Sequence, residues 1–98
     1  MYANVITWRL APGEDLHQFV RDITAQVGDW PPRGMIDGYV VQAGPDRVIS
    51  IGLYESAKHA DAVAAKLRQG DLGHRARFVE RHAGETHDIW GPDPMWES

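Results

Sequence analysis

His74, Phe78 and His82 fall at i, i+4 and i+8, a spacing that sets their side chains along one line of a helix. The two histidines are eight residues apart, beyond the i, i+4 reach of a helical metal pair, and no third ligand stands at a telling distance. No zinc site is expected. The chain has no cysteine, which removes disulfides, thiolate metal sites, iron–sulfur clusters and a cysteine nucleophile. No Ser-His-Asp spacing, phosphate-binding glycine motif or pair of glycosidase-type carboxylates stands out, and Gly70, Gly73 and Gly84 read as helix punctuation. Any chemistry must come from other groups. Ser50, Gly52 and Tyr54 offer a setting for it: they alternate with Ile49, Ile51 and Leu53, so one side of that segment is apolar enough to receive helices and the other is polar-aromatic and sparsely filled. The second side looks like a pocket wall.

Six or seven elements must position these groups. Residues 2–10 alternate Val5, Thr7 and Arg9 with Asn4, Ile6, Trp8 and Leu10, which predicts a strand ended by Pro12-Gly13. Leu16, Phe19, Val20, Ile23 and Val27 follow at i, i+3, i+4, i+7 and i+11, one apolar stripe of a helix with Glu14 and Asp15 near its positive end and Gly28 as its C-cap. Trp30-Pro31-Pro32-Arg33-Gly34 makes a stiff loop. Residues 35–43 and 47–55, joined at Gly44-Pro45-Asp46, form an antiparallel hairpin in which Tyr39 and Val41 share a face with Asp37. Ser56 caps a helix carrying Ala60, Val63, Ala64 and Leu67. Leu72, Ala76, Val79 and Ala83 predict a further helix up to Gly84, and residues 85–91 predict a fourth strand.

The expected order, β-α-β-β-α-α-β, suits an α+β fold: a ferredoxin-like split β-α-β sandwich with a four-stranded antiparallel sheet and helices on one face. Residues 1–91 make this domain and residues 92–98 a tail. With 98 residues, 43% of them hydrophobic and 24% charged, the chain holds a single core and buries enough surface to fold with little margin. The net charge of −4 argues against nucleic acid, and the basic residues between 58 and 82 read as a solvated helix face. Apolar runs are short and the N-terminus lacks the blocks of a signal peptide, so no membrane contact and a cytoplasmic location are expected.

One helical layer covers one face of a sheet, yet the other face, on this reading, carries Trp8, Tyr54 and Trp90. Stacking two sheets would bury these aromatics and close a homodimer, a dimeric α/β barrel in which Met95 and Trp96 clasp the partner.

Three segments carry a family resemblance: Tyr2-Ala3-Asn4-Val5-Ile6-Thr7 with Pro12-Gly13, Arg33-Gly34-Met35-Ile36-Asp37-Gly38-Tyr39, and Asp46 through Ser56. Over nearly the whole chain the sequence resembles the antibiotic-biosynthesis monooxygenase (ABM) domain of the dimeric α/β-barrel superfamily. The resemblance implies a small aromatic or polyketide-like phenol, deprotonated in a dry pocket, that passes an electron to dioxygen without a cofactor. Such a site wants an amide or indole donor for the oxyanion, aromatic walls and a base. On this resemblance Asn4 and His74 are the catalytic residues and Trp8, Tyr54 and Trp90 contact substrate; Tyr39, Ser50 and Phe78, placed by the strand alternation and the helical line above, are expected to bind substrate with them. Haem-degrading members place a tryptophan before the histidine that would fall near Val63 or Ala64, neither of which can distort a porphyrin, so haem degradation is the weaker expectation. A non-catalytic ligand-binding or stress-associated protein and an isomerase or cyclase are the alternatives, because this fold serves many reactions.

Overall fold

In the computed structural model, which describes residues 1–69 and 75–87, the first strand β1 spans Tyr2–Leu10 and the first helix α1 spans Leu16–Val27. Asp15 caps α1, its side chain accepting from the Gln18 backbone N–H at 2.7 Å, which satisfies a donor the first turn cannot. Gly28 ends the helix at a φ of 91°, a conformation a side chain would disfavour. The hairpin follows as β2 (Met35–Gln42) and β3 (Arg47–Tyr54), then helix α2 (Ala57–Gln69) and strand β4 (Ala76–Glu85). The sheet order is β2-β3-β1-β4, every neighbouring pair antiparallel. This is the four-stranded α+β, ferredoxin-like arrangement, with both helices on one face.

The segment expected as a third helix is β4. Its register against β1 slips between Thr7 and Trp8: Thr7 pairs with Glu80 and Trp8 with Phe78, leaving Val79 unopposed. That bulge explains the helical look of the sequence. Inward positions fall at Ala76 and Phe78, then at Arg81, a step of three residues, so a strand period of two is broken by a step that resembles a helix turn. The expected fourth strand at 85–91 shares only Glu85 with β4, and residues 88–98, with Trp90 and the proposed clasp Met95 and Trp96, lie outside the described residues. So does His74.

Assignment of the faces is reversed as well. Asn4, Ile6, Trp8 and Leu10 of β1 point toward the helices and join a core with Phe19, Ile23, Val27, Ala60, Val63 and Leu67. Trp8 is 1% exposed and Tyr54 3%, both buried within one chain with no second sheet required. Trp8 stands edge-on to Phe19 and Phe78 at centroid distances of 5.3 and 5.2 Å, and Arg68 lies 4.7 Å over the Phe78 ring. A tryptophan so enclosed is worth ~3–5 kcal/mol to the fold if truncated to alanine. The open side of the sheet carries instead Val5, Thr7, Ile49, Ile51 and Leu53, joined by Tyr39 and Val41. Ionic contact ties the start of β4 to α1, since Arg75 donates to Asp22 at 2.9 Å.

Candidate functional site

A cavity of about 370 Å³ lies between the helices and the β2–β3 half of the sheet, within the roughly 300–1,000 Å³ common for small-molecule sites. Val20, Ile23 and Val27 of α1 and Val63 and Leu67 of α2 form its apolar roof. The floor comes from the sheet residues Asn4, Ile6, Val40, Ser50, Gly52 and Tyr54. Trp30 and Ile36, both half exposed, make the solvent-side rim.

Paired glycines give this floor its shape. Gly38 faces Gly52 across β2 and β3, so two positions that would project side chains into the cavity project none. The Met35 methyl lies over Gly38, and the Tyr54 hydroxyl lies over Gly52. Asn4 is the cross-strand partner of Gly52 on the other side, in β1. Backbone register therefore brings the Tyr54 phenol beside the Asn4 carboxamide, with nothing between the strands to separate them.

Asn4 is the buried polar side chain among the described residues, 2% exposed. Its Nδ2 donates to the Ala60 carbonyl at 2.8 Å, and its Oδ1 accepts from Arg81 Nε at 2.8 Å. Arg81 in turn donates from its terminal nitrogen to Asp61 at 2.7 Å. An amide nitrogen carries two protons, so one remains beyond the bond to Ala60. Burial pushes the Tyr54 hydroxyl above its ordinary value of 10.0, while the Asn4 amide and the Arg81 charge draw it partly back. At neutral pH this phenol is protonated and able to donate.

Four of the residues singled out in the sequence border the cavity: Asn4, Ser50, Tyr54 and Tyr39. They do not act alike. Ser50 accepts from the Trp8 indole N–H at 2.9 Å, which occupies that donor. Tyr39 pairs with Ile51, so its side chain leaves on the sheet's open face, where it is 55% exposed and donates to Asp37 at 2.7 Å. That bond, with the Gly38 N–H, holds the Asp37 carboxyl below its usual range, and the same carboxylate raises the Tyr39 hydroxyl. Trp8 and Phe78 stand outside the lining, packed on each other. His74 and Trp90 are outside the described residues. Two contributors were not singled out from the sequence. Trp30 had a signal, an aromatic held in a diproline loop, and Arg81 was hidden by the helical reading of its strand. No group of three or more metal-ligating side chains occurs among the described residues, and no helix there is long and apolar enough to cross a membrane.

The fold has solved counterparts. A crystal structure from Chloroflexus aurantiacus, provisionally named as an antibiotic biosynthesis monooxygenase, matches 92% of this chain and 96% of its own with a TM-score of 0.62 at 15% identity. The chain has an ABM-like fold. A structural-genomics protein from Agrobacterium tumefaciens shares it, over 94% of this chain and 98% of its own, with a TM-score of 0.53 at 13% identity. No family model and no curated protein matches the sequence. In this ABM-like chain the cavity lies between the sheet and the helices of a single chain.

Proposed function

We propose that this protein binds a small planar phenol or enol in the cavity as its anion and oxygenates it with dioxygen, using no cofactor. The observation that carries the reading is Asn4: a buried carboxamide at the cavity floor whose second N–H, beyond the bond to Ala60, lies beside the protonated Tyr54 hydroxyl. Two donors in place against an apolar roof favour a delocalised oxyanion, because they need no reorganisation when charge appears. His74 is the base in this reading, and Ser50 and the rim residue Trp30 contact the ring system.

For a substrate of the anthrone type, loss of a proton gives the delocalised anion, which hands one electron to dioxygen. The resulting carbon radical and superoxide combine in a C–O bond, a proton completes the hydroperoxide, and loss of water leaves the carbonyl. One CH₂ group and one O₂ become one C=O and one H₂O, so the substrate itself supplies every electron. The protein contributes acid–base chemistry and charge stabilisation.

Two copies are proposed to join through the open sheet face, where Val5, Ile49, Ile51 and Leu53 leave an apolar strip partly exposed. Covering such a strip with its own symmetry mate is an economical way to remove it from water. The location proposed is cytoplasmic.

Oxygen uptake during incubation with anthrone- and hydroquinone-type substrates tests the function. The expected result is one O₂ consumed per anthrone converted, abolished when Asn4 is replaced by alanine. Turnover that persists under nitrogen would replace the oxygenase with an isomerase or cyclase. Tight binding without turnover would leave a ligand-binding protein.

A further inference from the structure

Asn4 is held by partners that can bind it in one orientation only. Arg81 has donors and no acceptor, so the Asn4 atom at 2.8 Å from its Nε must be the oxygen. The Ala60 carbonyl only accepts, so the atom at 2.8 Å from it must be the nitrogen. Both partners impose the same amide orientation. Arg81 is itself fixed, because a second guanidinium nitrogen reaches Asp61 on α2 at 2.7 Å, and it is largely buried, its side chain 20% exposed. It does not line the cavity.

We propose that Arg81 is a positioning residue: braced by Asp61, it locks the Asn4 carboxamide with Nδ2 on the cavity side and strengthens that N–H as a donor to a bound anion. The inference rests on the reading that the cavity takes a phenolate. Two effects combine. Holding Oδ1 prevents the amide from turning its oxygen toward the ligand, where it would repel an oxyanion. A cationic donor on Oδ1 also draws electron density from the amide nitrogen, so the hydrogen bond made by Nδ2 is reinforced through the chain. Arg81 thus links β4 to a site it never touches, and the bulge at Val79 makes this possible by setting Arg81 opposite Ile6, on the same face as Asn4.

The test uses two probes of similar shape, 4-nitrophenol, whose visible absorbance reports its ionisation, and 4-nitroanisole, which stays neutral. The wild-type protein is expected to bind nitrophenolate more tightly than nitroanisole and to lower the pH at which bound nitrophenol ionises. Arg81→Met should weaken nitrophenolate about tenfold, leave nitroanisole affinity unchanged, and shift the ionisation of bound nitrophenol upward. In an Asn4→Ala background the same substitution should add nothing further, because the route through Asn4 is already cut. An equal loss in both backgrounds, or an anion preference that survives Arg81→Met, overturns the inference while the phenolate reading stands. If Arg81→Met does not fold, Arg81→Lys completes the same cycle: it keeps the charge but not the two-pronged bracing, and it should lose part of the anion preference with native Asn4 and none without it. A wild-type protein with no preference for nitrophenolate overturns the phenolate reading itself.

Discussion

The Tyr54 hydroxyl occupies the space that a side chain on Gly52 would need: a Cβ at Gly52 would stand 2.6 Å from the Tyr54 oxygen. Because Gly52 pairs with Asn4, the missing side chain is what lets phenol and amide meet on one floor. Gly52→Ala is expected to destabilise the protein by ~1–3 kcal/mol, the usual penalty for overfilling a packed site. In a Tyr54→Leu background, where nothing reaches back over Gly52, the same substitution should cost much less. Urea unfolding of the four proteins checks this. Equal costs in both backgrounds would show that the added methyl strains something other than Tyr54.

Ser50 satisfies the indole N–H of Trp8 at 2.9 Å, inside a core where that donor has little access to water. Ser50→Ala leaves the indole unpartnered and should lower stability by ~1–3 kcal/mol. Adding Trp8→Phe, which removes the donor, should recover part of that loss, so the double variant is more stable than the two single effects predict. The readout is again the unfolding midpoint.

Strong alkali should weaken the fold through Tyr54. Burial raises the folded-state pKa of this hydroxyl above 10.0, so between the unfolded and folded values the unfolded chain has lost a proton that the folded chain retains. Stability falls with pH in that window. The contribution is fully present below pH 10 and disappears as pH climbs through the folded value. Tyr54→Phe, which keeps the ring and removes the proton, should show a shallower alkaline loss in denaturant midpoints than the wild type. Tyr39 shifts the same way through Asp37, but it is present in both proteins and cancels in the comparison. Parallel slopes for the two proteins would contradict the placement of Tyr54.

The sequence made five of the six elements readable, for local reasons. β1 alternates cleanly, α1 has both caps and an unbroken apolar stripe, and the β2–β3 turn closes where Gly44-Pro45-Asp46 requires it, with Ala43 donating to Arg47 at 2.9 Å. β4 was not readable because it is an edge strand with one partner and a bulge. It needs no continuous β-rich pattern, and the bulge supplies a false helical step. The direction of the sheet faces was also misleading. The apolar side of a sheet ordinarily goes to the helices, but here the helix side must house a cavity, so Asn4, Ser50 and Tyr54 replace hydrophobic residues on it. The more uniformly apolar set Ile49, Ile51 and Leu53 was left for the other side. Alternation reports which residues share a face, and cannot say which face receives the helices.

That reversal separates assembly from ligand binding. Ile49 lies opposite Thr7 on the open face, and the cavity is on the helix side of the same sheet. If two copies stack their open faces, Ile49→Lys would place a charge within the apolar seam, where each subunit would have to bury an unpaired ammonium. The wild type should sediment at twice the chain mass and Ile49→Lys at the chain mass, with nitroanisole binding retained because the roof and floor of the cavity belong to one subunit. A wild-type protein that sediments as a single chain would remove the dimer and leave the cavity intact. A monomeric variant that no longer binds the neutral probe would mean that the partner shapes the pocket through β2 and β3, which share their backbone between the seam and the cavity floor.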